Sequence, residues 1–118
     1  MRANSPVFDS SLLLNKEVIQ IAVGLYSVEI LLSDDVRISC QASFEMLTAQ
    51  ERTEMRADAP NESARLISLL GKAITQTRVE GGGHLVLTLG DDVQLKIKSS
   101  NDWHESYVVW SKGDFVAV

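Results

Sequence analysis

The sequence predicts an α+β fold, mostly β: two pseudo-symmetric antiparallel β-meander repeats forming a sheet pair or an open barrel, with one main helix over about 61–70 and a short N-terminal helical turn. Three observations predict it. First, the chain repeats itself. Residues 13–23 (LLNKEVIQIAV) return at an offset of 56 as residues 69–79 (LLGKAITQTRV), and residues 28–38 return at an offset of 57 as residues 85–95. Self-similarity at a fixed spacing sets architecture ahead of local propensity. Second, the apolar period inside each repeat is two. Third, a single stripe with helical spacing precedes the second strand set.

In chain order, Asp9 caps a helical turn at Leu12-Leu13-Leu14, and Asn15 stops it. Residues 17–23 form a strand, with Gly24 leading into the next. Val28, Ile30 and Leu32 then alternate with Ser27, Glu29 and Leu31, and Val36, Ile38 and Cys40 with Asp35, Arg37 and Ser39. This is the pattern of antiparallel strands with one face on a core. Ser33-Asp34-Asp35 between them reads as a hairpin tip, because Asp tolerates left-handed backbone and caps turns through its side chain. The polar connector 46–59 reads as a loop or a solvated helix. Asn61 and Glu62 open the main helix, Leu66, Leu69 and Leu70 form its apolar stripe, and Gly71 ends it. The strand over 73–80, the Gly81-Gly82-Gly83 loop and the hairpin around Gly90-Asp91-Asp92 repeat the first meander. Two more strands, over 106–111 and 114–118, break the symmetry; in the first copy only residues 43–46 correspond to them, so the second half reads as the fuller unit. The last strand needs a neighbour, within the domain or across a dimer.

At 118 residues the chain is one domain over 1–118, with repeats at about 9–46 and 61–118. Net charge is −5, and the charge is uneven: residues 1–59 hold nine acids and five bases, residues 60–118 seven and six. Phosphate binding needs concentrated Lys and Arg, so the charge argues against nucleic acid as a direct ligand. Cys40 is the only cysteine, which excludes an intrachain disulfide and a thiolate metal cluster; its alternation with Val36 and Ile38 places it in the core. There is no apolar run of about 20 residues for a membrane span and no secretory signal, so the chain reads as cytoplasmic.

Candidate chemistry is sparse. Asp34-Asp35 and Asp91-Asp92 sit at turn tips, but adjacent acids lack the alternate ligand spacing of a calcium loop. The glycine triplet precedes a strand, whereas a phosphate-cradling loop precedes a helix. His84 reads as an exposed strand-start residue. The densest polar–aromatic cluster is Asp102, Trp103, His104, Glu105 and Tyr107, which suits a binding surface; neighbours on a strand point to opposite faces, which argues against a His104–Glu105 catalytic pair. No catalytic, metal or cofactor site is expected.

The segment Leu69-Leu70-Gly71-Lys72-Ala73-Ile74, the Gly-rich turn, LVLTL, Gly-Asp-Asp, VQLKI and the His104-Glu105-Ser106-Tyr107 box together resemble a family of small bacterial proteins of unknown function with a duplicated helix and β-meander pattern. The resemblance covers residues 12–118. It departs at the tips, where Asp-Asp-Val replaces Asp-Gly, and in the box, where His104 stands at an aromatic position. It brings no catalytic residue. In size, acidity and plainness the chain also resembles, by type, the immunity proteins encoded beside bacterial toxins. The expected function is therefore non-catalytic protein binding: neutralising a cognate toxin, most simply a basic nuclease domain, by covering its active surface. Asp34, Asp35, Asp102, Trp103, His104, Glu105 and Tyr107 are the candidate contacts. The alternatives are a small-molecule or enzymatic β-domain with a pocket near Trp103-His104-Glu105, and a homodimeric scaffold. The chain is expected to be a monomer or a homodimer.

Overall fold

The computed structural model describes residues 10–41, 43–90, 93–99 and 107–111, and the backbone of 114–117. A 3-10 turn, Ser10–Leu13, is followed by five strands: β1 (Val18–Val23), β2 (Val28–Leu32), β3 (Val36–Cys40), β4 (Ser43–Leu47) and β5 (Arg52–Arg56). The second half repeats this order. The helix α1 (Pro60–Ser63) runs into a 3-10 segment, Ala64–Leu69, and then come β6 (Ile74–Glu80), β7 (His84–Leu89), β8 (Val93–Ile97), β9 (Tyr107–Ser111) and β10 (Asp114–Ala117).

The strands form two antiparallel sheets, ordered β1-β2-β3-β9-β10 and β5-β4-β8-β7-β6. Each half builds three strands of its own sheet and sends its last hairpin to the other. Thus β9 runs beside β3, pairing Cys40 with Tyr107 and Val36 with Ser111, while β4 runs beside β8, pairing Phe44 with Ile97. The repeat is therefore a reciprocal exchange of hairpins. The connector holds β5, so the halves are equal, and the second is not the fuller one. Sequence reading missed β5 because its strand is polar on all but one side: only Met55 is buried, while Arg52, Glu54 and Arg56 face water.

A pseudo-twofold relates the halves. Glu17 bridges Ala73, its own repeat mate. Around it the backbone N–H of Asn15 donates to Ile74 O and that of Gly71 to Val18 O, both at 2.8 Å. The N–H of Ile74 donates to Lys16 O at 2.8 Å and that of Val18 to Lys72 O at 2.9 Å. Each bond is the other's mate under the offset of 56. Asn15 and Gly71 both hold the left-handed conformation (φ 66° and 84°) that ends their helical turns.

The core lies between the sheets. Ile30, Ile38 and Val109 face it from the first sheet, Leu85, Leu87 and Leu95 from the second, and Leu13, Leu66 and Leu69 from the helical segments. The main helix starts at Pro60, whose fixed φ suits the first helical position, and not at an Asn61 cap. It then tightens to 3-10. Its buried residues, Ser63, Leu66 and Leu69, recur every three positions, the period of a 3-10 helix, and this leaves Leu70 exposed. None of the described helices is long and apolar enough to cross a membrane.

Candidate functional site

The outer faces of the two related sheets are chemically unlike. On the second sheet, pairing aligns Arg78, Val86, Lys96, Glu45 and Glu54 in one row across the strands. Glu80 accepts from Arg78 and Lys96, both at 3.0 Å. The buried Glu45 carboxylate lies 2.7 Å from Arg52 and 3.7 Å from Lys98, and Lys98 reaches Glu54 at 3.3 Å. Charge on this face is matched internally.

The first sheet presents a different row: Gln20, Leu31, Arg37 and Trp110, one from each of β1, β2, β3 and β9. The Arg37 guanidinium carbon stands 5.0 Å from the Trp110 ring centroid, within cation–π range. Its Nε lies 3.6 Å from Glu29, whose carboxylate also accepts the Ser39 hydroxyl at 3.0 Å. The arginine is thus held over the ring by the same acid that a strand neighbour orients. Beside it opens a groove of about 320 Å³ lined by Ile19, Leu31, Asp35, Val36, Arg37 and Trp110. A second cleft, of about 530 Å³, shares Asp35 and Val36 with the first and is also lined by Leu12, Lys16, Asp34 and Ser111.

The acidic tip contributes to both clefts. Asp34 and Asp35 have φ of 63° and 61°, the left-handed geometry expected of them, and both are exposed. Lys16 donates to Asp34 at 3.0 Å and anchors the tip to the turn after the first helical segment. Asp35 remains on the rim of both clefts.

The other expected contacts divide. Tyr107 is a core residue, about 1% exposed, so its ring is not partner surface; its hydroxyl donates to Gly83 O at 2.8 Å and ties β9 to the glycine loop of the opposite sheet. Asp102, Trp103, His104 and Glu105 lie outside the described residues, and with them the pocket expected there. His84 is half-buried and not an exposed strand start, because its Nδ1 accepts the Ser99 N–H at 2.8 Å. Cys40 is buried, and desolvation, with Glu29 second, pushes its thiol well above the ordinary range, which leaves it inert near neutral pH. Among the described residues no three His, Cys, Asp or Glu side chains gather as a metal site would require.

Sequence reading missed Arg37, Trp110, Leu31 and Ile19 as a group. One signal was available for Trp110: with Tyr107 and Val109 facing in, Val108 and Trp110 must face out. Its meeting with Arg37 depends on the hairpin exchange, which no local pattern announces.

A model of a family of unknown function, DUF6188, matches residues 10–118. The chain belongs to DUF6188. The family match takes in the whole of both sheets, and it agrees with the resemblance drawn over residues 12–118 as far as a family of unknown function. No curated protein and no solved structure matches this DUF6188 chain.

Proposed function

We propose that the chain is a non-catalytic protein-binding protein that neutralises a bacterial toxin in the cytoplasm of the cell encoding both, with the outer face of the first sheet as its partner surface. The observation that carries this reading is the contrast between two sheets built to one plan. The second closes its outer face with matched charges, while the first leaves Trp110, Leu31 and Arg37 around a groove with Asp35 on the rim. Tryptophan and arginine in a partly desolvated setting are the residue types that dominate binding energy at protein interfaces. A net charge of −5, with Asp35 at the groove and Asp34 beside it on the hairpin tip, complements a basic nuclease domain and steers its approach. A contact of standard size covers on the order of 800 Å² per partner, enough to take in the groove and the tip together.

The test is co-expression with the toxin domain encoded in the adjacent reading frame. Protection is expected from the wild-type chain and is expected to fail for Trp110→Ala, whose affinity for the purified toxin should fall by roughly 30-fold or more, a loss of about 2 kcal/mol. Asp34→Asn with Asp35→Asn should mainly slow association and weaken its salt dependence. A neighbourhood without a toxin gene, or full protection by Trp110→Ala, overturns the proposal.

A further inference from the structure

Six large apolar side chains are exposed among the described residues: Ile19, Leu25, Tyr26, Ile67, Leu70 and Val79. Five of them gather along one edge of the molecule. Ile19 lies on β1, Leu25 and Tyr26 form the tip of the β1–β2 hairpin, and Ile67 and Leu70 belong to the 3-10 segment and turn that pack against β1. Leu70 is followed directly by Gly71, which donates to Val18 O at 2.8 Å, so it sits at the N-terminal end of β1.

The pseudo-twofold supplies an internal control. The mates of Ile19, Leu25 and Ile67 at the offset of 56 are Thr75, Gly81 and Ser11. Tyr26 likewise falls on Gly82, and Leu70 alone has an apolar mate, Leu14; at the other four positions the other copy is polar or glycine, and nearby Ser10 donates to Thr77 at 3.0 Å. Folding does not require the apolar version. Large exposed apolar side chains grouped along one edge, unlike single scattered ones, mark an interaction surface.

Edge chemistry agrees. Four strands end the two sheets: β1, β10, β5 and β6. Natural edges are blunted with charge, proline or short length. Arg52, Glu54 and Arg56 guard β5, Arg78 and Glu80 guard β6, and the short β10 opens on Asp114. The sequence of β1, VIQIAV, holds no charged residue and no proline. Past Val18, whose N–H and C=O bond to Lys72 and Gly71, no strand among the described residues lies on its outer side, opposite β2.

We propose that a second copy of this chain covers this edge, the β1 strands of the two copies pairing antiparallel about a two-fold axis. The arrangement of the patch selects this occupant. Its apolar groups stand at the two ends of β1, Ile67 and Leu70 at one and Leu25 and Tyr26 at the other, about 20 Å apart along the strand. Antiparallel self-pairing lays the tip of each copy on the 3-10 segment of its partner, and the two contacts are equivalent, as a two-fold interface requires. The edge is uncharged, so two acidic chains meet there without repulsion at the contact. The result is a continuous ten-stranded sheet, with the Trp110 grooves of both copies open on its outer face and Ile19 shared between groove and interface.

Light scattering and sedimentation equilibrium on the full chain should give twice the 13.0 kDa chain mass. Amides of residues 20–23 should exchange more slowly as protein concentration rises. Leu25→Asp with Tyr26→Asp lies in an exposed turn held by the Gly24 to Ser27 backbone bond, so it should keep the circular dichroism spectrum while weakening dimerisation by roughly 100-fold. Thr75→Asp, at the mate of Ile19, should leave the dimer intact. A monomer at several hundred micromolar, a dimer indifferent to the Leu25 and Tyr26 changes, or concentration-dependent protection at β5, β6 or β10 in place of β1 overturns the proposal. Toxin protection is a separate readout: it should survive the tip variants and fail with Trp110→Ala, so the two readings can fail independently.

Discussion

Asp34 and Asp35 hold φ near 60° on two successive non-glycine residues. Left-handed backbone costs a side-chain-bearing residue roughly 1 kcal/mol, somewhat less for Asp. For Asp34 the Lys16 ion pair offsets part of that cost; Asp35 makes its strain without such a partner bond in the described contacts. Asp35→Gly should therefore raise stability by about 0.5–1 kcal/mol, visible as a melting temperature a few degrees higher, and should weaken toxin binding if the rim carboxylate is a contact. Tyr107 bears a different constraint. Replacing it with Phe removes the bond to Gly83 O and should cost about 1 kcal/mol in denaturant unfolding, the carbonyl being left beside a buried ring. The sequence was most legible at this scale wherever a residue's role depends on its own backbone: Asn15, Gly71 and the two aspartates took the conformations their types suggest. It was least legible at Tyr107, where an aromatic in a polar cluster reads equally as surface or core and only its strand phase decides.

Among elements, the salt-bridged outer face of the second sheet makes the clearest predictions. Hydrogen bonds from Lys96 and then Arg78 hold the Glu80 carboxyl below the ordinary carboxylate range. A carboxylate depressed in the folded state contributes stability above its unfolded pKa and loses it as pH falls through the folded value. Glu80→Gln should accordingly flatten the acid limb of the stability profile by lowering its neutral-pH plateau slightly, since an exposed pair contributes little, while leaving stability at the acid end unchanged. Glu45 behaves differently because it is buried. Arg52→Met or Lys98→Met alone leaves one cation near its carboxylate; both together leave a buried charge without compensation. The double variant should lose more stability than the sum of the singles, by about 1 kcal/mol or more in a double-mutant cycle. Alternation in 28–40 and 84–98 announced four strands with nearly correct ends. The β5 strand stayed hidden because an edge strand over a core needs only one buried residue, and the α-helical spacing at 66–70 misled because three-residue and four-residue periods share Leu66 and Leu69.

For the whole molecule, the decisive feature is that neither half completes its own sheet. Residues 28–40 lack their outer neighbour until β9 arrives, and β4 has no inner partner but β8. The fragments 1–59 and 60–118 should each remain largely unfolded alone and regain strand signal in circular dichroism when mixed. Two independently folded fragments would contradict the exchange. The duplication itself was readable, since identical residues recur in register. The exchange was not, because an internal repeat states that two units are alike and leaves open which unit each hairpin joins.

Exchange also sets a timetable for synthesis. A ribosome releases the first half with β4 and β5 already made but with their docking strand, Val93–Ile97, still unmade. At about 5–20 residues per second the wait lasts seconds, during which Phe44 and Met55 have no core to enter. Long-range pairing of this kind slows folding as well. The nascent chain therefore cannot consolidate domain-first from its N-terminus, and closure of both sheets must await the last forty or so residues, all at once. Arginine and glutamate along β5 then have a second use: they keep a waiting hairpin from pairing with a neighbouring nascent chain before its own partner emerges.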